Sequence, residues 1–277
     1  MIGRYNKLRV VKEVDFGLYL DGGEEYGEIL LPTRYVPVNI SVDDELEVFI
    51  YLDSEDRVIA TTEQPNACVD EFAFMEVKSV NKIGAFLDWG LMKDLLVPFS
   101  EQDEKMIEGQ SYAVYVYVDD ASKRIVATSK LYTVLNNILP EYEKGQEVDL
   151  FVYDKADIGY KVVVNNLHTG MLYHNQIFQP IKLGDRFKGY VQNVREDDKV
   201  DVSLRRTGVE GIEGHAAEVL EILKAKGGSM DVSDKSAAEY IYKVFSMSKK
   251  SFKRAIGTLY KQRIITIEDD GIRLTQE

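Results

Sequence analysis

The sequence is short of cysteine: Cys68 stands alone among 277 residues. One thiol cannot make an internal disulfide, which excludes a disulfide-stapled scaffold and makes a reducing cytoplasm the simplest home. No apolar run approaches the ~20 residues that a membrane span needs, so no membrane partner is expected. The opening Met1-Ile2-Gly3-Arg4-Tyr5-Asn6-Lys7-Leu8-Arg9 has no apolar stretch after its charges, which argues against a secretory signal. Gly-rich phosphate loops, nucleophile elbows and paired-carboxylate motifs are missing. Only three histidines occur, and His168, His174 and His215 lack Cys or carboxylate partners at the short spacings of zinc or di-metal sites. The expectation is a protein that is not an enzyme and has no cofactor, catalytic residue or metal.

Positive charge is also scarce: 34 Lys and Arg face 47 Asp and Glu, a net charge of −13. Phosphate is repelled at long range by such a chain, which argues against indiscriminate nucleic-acid binding. The excess is uneven. Residues 1–65 hold 6 cations against 14 acids and 66–135 hold 7 against 11, while 136–208 hold 10 against 11 and 209–277 hold 11 against 11. The C-terminal half is the better place to meet phosphate.

What is present is a repeat, on a chain long enough for two to four domains. A shift of 67 places Val10, Gly17, Asp53, Arg57 and Thr61 on Val77, Gly84, Asp120, Arg124 and Thr128. A further shift of 75 places Gly84, Gly109, Arg124 and Thr128 on Gly159, Gly184, Lys199 and Ser203. Each copy opens with an apolar run (Leu8–Val14, Phe74–Val80, Val148–Tyr153). A turn and strand follow around the shared glycine: Phe16-Gly17-Leu18-Tyr19, Ile83-Gly84-Ala85-Phe86, Ile158-Gly159-Tyr160-Lys161. Period-two runs such as Leu46-Glu47-Val48-Phe49-Ile50-Tyr51 complete the pattern. Five short strands in about 65 residues predict a small Greek-key barrel of the OB type. Pro65-Asn66 and the Leu131–Tyr142 stretch with Pro140 punctuate the copies, and Gly208, Gly211 and Gly214 end the third.

Beyond Gly214 the period becomes 3.6. Ala216, Val219, Leu220 and Leu223 form one stripe, ended by Gly227-Gly228. Asp234 or Lys235 opens a second helix carrying Ala238, Ile241, Val244 and Phe245, and Ser248 caps a third carrying Phe252, Ala255, Ile256, Leu259 and Tyr260. Ile264–Ile267 and Ile272–Thr275 flank Glu268-Asp269-Asp270-Gly271, whose Asp-Gly signals a hairpin. Three helices and a hairpin make a winged helix. The fold class is therefore mainly β: three tandem OB-fold five-stranded barrels, then an α+β winged-helix domain. The boundaries read as 1–65, 66–135, 143–207 and 212–277.

The copies resemble the S-one type RNA-binding domain, an OB variant. Its aromatic-Gly-small-aromatic turn matches Phe16-Gly17-Leu18-Tyr19 fully and Ile83-Gly84-Ala85-Phe86 in part. Its Gly-hydrophobic-hydrophobic-His run resembles Gly170-Met171-Leu172-Tyr173-His174, with one extra residue, while Pro32 and Pro98 stand where the histidine belongs. Its Asp-x3-Arg matches Asp53…Arg57 and Asp120…Arg124, and Arg195…Lys199 departs at the acid. Three such domains before a winged helix are similar to the bacterial conserved virulence factor B family. That resemblance covers essentially the whole chain and implies RNA binding and gene regulation.

An OB-type barrel stacks bases on exposed aromatics of one face and places cations around the strand. The candidate RNA-binding residues are Phe16, Tyr19 and Arg57, then Phe86 and Arg124, then Tyr160, Lys161, His174 and Lys199. The alternative is that the aromatics are barrel core and that Arg57 and Arg124 pair with Asp53 and Asp120. On the last helix Lys249, Lys250, Lys253 and Arg254 lie off the apolar stripe, on the element a winged helix offers to a groove, or on a merely solvated face. The acidic wing at Glu268-Asp269-Asp270 counts against DNA. The expected partner is single-stranded RNA, with the ribosome or another protein as the rival and DNA as the lesser one.

Overall fold

A computed structural model describes residues 1–136, 138–177, 179–204 and 214–275. The first barrel contains β1 (Tyr5–Val14), β2 (Gly17–Asp21), the short helix α1 (Gly23–Tyr26), β3 (Glu28–Pro32), β4 (Glu45–Leu52) and β5 (Val58–Thr61). The second contains β6 (Phe72–Val80), β7 (Gly84–Leu87), β8 (Leu95–Pro98), β9 (Ser111–Val118) and β10 (Ile125–Thr128). The third contains β11 (Glu147–Ala156), β12 (Gly159–Val164), β13 (His168–Tyr173), β14 (Arg186–Val194) and β15 (Val200–Ser203). The first and third close in the order strand one, two, three, five, four, with strands three and five parallel. The second has the same strand neighbours, but among the described residues no registered ladder joins β8 to β10.

Each first strand is bulged at the same point, between Val10 and Lys12, Val77 and Ser79, and Val152 and Asp154. A bulge bends and twists a strand, which lets a five-stranded sheet curl shut. The shared glycine has a different cause. A Cβ on Gly17, Gly84 or Gly159 would come within 2.1, 2.2 or 2.1 Å of the carbonyl oxygen of Leu31, Val97 or Leu172. Only glycine lets strand two approach strand three there.

The copies are packed against one another rather than strung on loose linkers. Phe49 and Tyr51 of the first barrel are buried against Trp89 of the second, and Trp89 Nε1 donates to Ala67 O at 2.8 Å. Phe72 of the second barrel, Leu131, Leu135, and Phe151 and Val163 of the third form another apolar joint. The stretch around Pro140 is pinned down as well. Asn136 exchanges hydrogen bonds with Thr169, and the buried His168 donates from Nε2 to Ile138 O and accepts at Nδ1 from the Tyr142 hydroxyl.

The winged helix comprises α2 (His215–Ala225), β16 (Ser229–Met230), α3 (Ala238–Phe245), α4 (Lys249–Lys261), β17 (Ile265–Ile267) and β18 (Ile272–Leu274), with sheet order β16-β18-β17. Ser248 caps α4 by accepting from Ser251 N at 3.1 Å. The second helix starts at Ala238, later than Asp234 or Lys235. Ser233 and Ser236 instead close a turn, with Ser236 N donating to Ser233 O at 3.1 Å and Ser233 N to Ser236 Oγ at 3.0 Å. Serines compete in this way with helix formation. Gly208 and Gly211, read as part of the third boundary, lie outside the described residues.

Candidate nucleic-acid interface

The turn before each shared glycine is built identically. Thr33 N donates to Phe16 O (3.1 Å), Phe99 N to Ile83 O (3.3 Å) and His174 N to Ile158 O (3.1 Å). Phe16, Ile83 and Ile158 are therefore equivalent, and they are 57, 56 and 55% exposed. An apolar residue left in water at one position of all three copies is a repeated surface feature.

Two residues past the glycine, Tyr19, Phe86 and Lys161 share the outward register, opposite Lys12, Ser79 and Asp154. Phe16 and Tyr19 meet edge to face, with centroids 6.3 Å apart, and Lys12 Nζ lies 4.5 Å over the Tyr19 ring. In the second barrel Phe86 is half-buried, and the exposed Phe99 adjoins Ile83. In the third, Lys161 replaces the aromatic and pairs with Asp154 at 2.7 Å; the hydrogen bond raises its pKa.

Tyr160 is thus not the counterpart of Tyr19. It follows the glycine directly, where Leu18 and Ala85 are core residues. Its ring packs on the third core, with the hydroxyl directed at Ile181 O (3.3 Å) and an edge 6.0 Å from His174. A one-residue slip along a strand reverses the face. The repeat offset would have found Ile83 and Ile158. Lys12 was hidden by the bulge, which moves it into line with Tyr19.

The cations beside strand five are engaged. Arg57 Nη2 lies 2.7 Å from Asp53 and Nη1 3.1 Å from Glu55. Burial pushes the Asp53 carboxyl up, but hydrogen bonds from Arg57 and the turn outweigh it and leave its pKa low. Arg124 does not pair with Asp120; it reaches Asp56 of the first barrel, and Asp120 faces Lys123 at 3.7 Å. Asp53 N–Arg57 O, Asp119 N–Arg124 O and Arg195 N–Lys199 O are equivalent bonds, so Asp119 is the true counterpart of Asp53 and the second turn is one residue longer. Lys199 holds Asp197 at 3.0 Å.

On α4 the four cations divide. Lys249 Nζ caps Ser236 O at 2.6 Å, and Lys253 faces Asp234 at 3.4 Å. Lys250 and Arg254 are exposed and make no ion pair among the described residues. Tyr240, Tyr242 and Tyr260 are exposed on α3 and α4; Tyr260, which the periodicity placed on the apolar stripe, lies one residue past Leu259 and turns to solvent. The wing carboxylates are partly tied, Asp269 to Lys235 and Glu268 to Arg273 at 2.9 Å. No described helix is long and apolar enough to cross a membrane.

Comparison with known proteins agrees with this architecture. The S1 domain model matches residues 2–63 and 72–130, and the CvfB-like winged helix domain model matches 217–274. YitL of Bacillus subtilis strain 168 is 30% identical over 94% of this chain and 89% of its own. Conserved virulence factor B of Staphylococcus saprophyticus is 24% identical, covering 86% of this chain and 82% of that protein. A solved structure of a multidomain protein with nucleic acid binding domains from Streptococcus pneumoniae TIGR4 is 24% identical, covers 99% of this chain and 98% of its own, and superposes with a TM-score of 0.42. OB-type barrels and winged helices are both nucleic-acid-binding folds. With its S1 domains, its winged helix and relatives along nearly its full length, the chain belongs to the conserved virulence factor B family.

Proposed function

We propose that the chain is a non-enzymatic, cytoplasmic single-stranded RNA-binding protein that regulates mRNA fate or gene expression. The observation that carries this reading is the pair of exposed Phe16 and half-buried Tyr19, repeated in the second barrel as Ile83 and Phe86 beside Phe99. Flat rings on the open face of an OB-type barrel hold single strands by stacking, at ~1–3 kcal/mol per base. Charge plays the smaller part, because the chain carries −13 and most cations on these faces already hold carboxylates. We expect roughly two to four neutralised phosphates, each contributing about −0.7 to the log–log salt slope.

Filter binding of single-stranded RNA, duplex RNA and duplex DNA at two salt concentrations tests the reading. Preference for the single strand with a shallow slope supports it. Those same carboxylate-held cations favour a second reading, a module that docks on the ribosome or another protein. Equal failure of all three nucleic acids would select it, and preference for duplex DNA would point to a regulator acting through α4.

A further inference from the structure

The third barrel carries a groove on its outer side, along β11, β14 and the end of β12. Its volume is about 600 Å³, and Asp149, Phe151, Asn165, Asn166, Arg186 and Lys188 are among its walls. The β12–β13 connection forms one side. Leu167 N donates to Val164 O at 3.0 Å, and Asn165 and Asn166 both take positive φ, 50° and 58°. That is a tight turn with Asn165 and Asn166 at its centre, inside a three-residue connection, and asparagine suits the left-handed positions. Asn165 is fixed to β11 in both directions: its N–H donates to Asp149 O (2.9 Å) and its Oδ1 accepts from Asp149 N (2.8 Å). The first barrel places α1 at this connection and the second places residues 88–94 there.

The repeat isolates what is special to this copy. Val10, Val77 and Val152 are equivalent, each standing just before the bulge. One residue earlier, Phe151 stands where the others have Arg9 and Glu76, and across the ladder Arg186 stands where they have Glu45 and Ser111. Two residues further back along the first strand, Asp149 opposes Lys188, where Lys7 opposes Glu47 and Phe74 opposes Ala113. Strand four therefore offers two cations in the third barrel, two carboxylates in the first and neither in the second. The barrel itself does not require a cation at either strand-four position.

The Arg186 guanidinium lies 4.7 Å over the Phe151 ring and donates to Phe72 O, while Phe151 itself is only 2% exposed. The ring covers one face of the guanidinium, and the side chain stays open to the groove. Lys188 pairs with Asp149 at 2.7 Å with both side chains well exposed, a contact that phosphate can displace. Two cations face one carboxylate here, on a chain of net charge −13. A cationic plane, a second cation and an amide turn are what a nucleotide uses: ring on guanidinium, phosphate on cations, base edge on amide.

We propose that this groove is a nucleotide-binding subsite, with the phosphate on Arg186 and Lys188, the base against the open face of the Arg186 guanidinium, and Asn166 at the base edge. The nucleotide is either part of an RNA strand, which rests on the RNA-binding reading, or a free nucleotide, which does not. The test titrates the full chain with AMP and with a uridine oligonucleotide of about eight residues, within the span of one OB fold. The Asn165 and Asn166 side-chain amides are followed by NMR in wild type and Lys188→Gln, and the Asn165 amide alone in Asn166→Asp. Arg186 is left intact because it ties the joint to Phe72. Amide shifts with AMP, weakened severalfold by both variants, assign a free nucleotide. Shifts with the oligonucleotide alone, with Lys188→Gln lowering the salt slope by about 0.7, assign the strand. Amides unmoved by either probe, or variants that bind like wild type, overturn the proposal. If the oligonucleotide still binds in that case, the RNA reading survives without the groove. If AMP binds and the oligonucleotide does not, the groove stands and the RNA reading falls.

Discussion

Arg124 of the second barrel is bonded to Asp56 in the β4–β5 turn of the first, so a residue aligned with Arg57 serves as a strut between domains. Lys93 reinforces the same joint, its Nζ donating to Leu52 O at 2.9 Å and Asp53 O at 2.8 Å. Burial lowers the pKa of Lys93, as expected for an ammonium drawn out of water. The two contacts fix how one barrel's face follows the next.

This strut has a pH signature. The hydrogen bond from Arg124 holds the Asp56 carboxyl below its ordinary value of 3.8. A carboxyl depressed on folding stabilises the native state above its unfolded pKa and loses that contribution as pH falls through the folded one. The melting-temperature gap between wild type and Asp56→Asn should be constant above about pH 5 and shrink in more acid solution. A gap that stays constant down to the acid limit of the fold would refute the pairing.

The register separates face from core. Tyr19→Leu and Phe86→Leu keep apolar volume but remove the flat ring, so each should lose ~1–3 kcal/mol of single-strand RNA affinity with melting unchanged. Tyr160→Leu should behave oppositely, lowering the melting temperature and losing binding only in proportion to unfolding. RNA titration and thermal melting of the three variants decide it. Equal behaviour would mean that the one-residue distinction has no functional meaning.

Backbone conformation makes its own demand at the entry to strand four. Gly109 (φ 77°) and Gly184 (φ 90°) are left-handed, and their equivalent in the first barrel is Asp43 (φ 75°), since all three N–H groups donate to the valine just before the bulge. A Cβ on Gly109 meets nothing within 4 Å, so any cost of substitution there is backbone strain. Gly109→Ala should cost about 1–2 kcal/mol, and Gly109→Asp less, because a short polar side chain tolerates this region. Gly84→Ala should cost more than either, since its Cβ would strike Val97 O. Denaturant unfolding of the three ranks them.

The sequence patterns that proved legible were those repeated locally. Strand alternation and the Ser248 cap depend on neighbours within a few residues, and the shared glycine showed itself through its constant offset between copies. What was not legible depended on distance or on a shift of one. Arg124 finds a partner 68 residues away. Tyr160 stands one residue off the register of Tyr19 and Phe86, which shows only when strand faces are counted from the glycine rather than matched by residue type. The extra residue in the 119–124 turn made Asp120 look like the counterpart of Asp53. Arg186 and Lys188 carry no motif, and only the ladder sets them against Phe151 and Asp149.

The helix α4 provides the last discrimination, because its cations differ in what they already hold. Lys249 is bound to the Ser236 carbonyl, so Lys249→Ala should weaken the winged helix itself and appear in its melting. Lys250 and Arg254 are exposed without ion pairs among the described residues, so the double change to alanine should leave the fold intact. If this helix touches a single strand, the double variant should lower the salt slope by about 0.7 for each phosphate contact removed. Contact with duplex DNA would give a larger change, about 0.9 per contact, and only with the duplex. Should the double variant abolish RNA binding while Tyr19→Leu and Phe86→Leu leave it whole, the winged helix is the reader and the barrels only carry it.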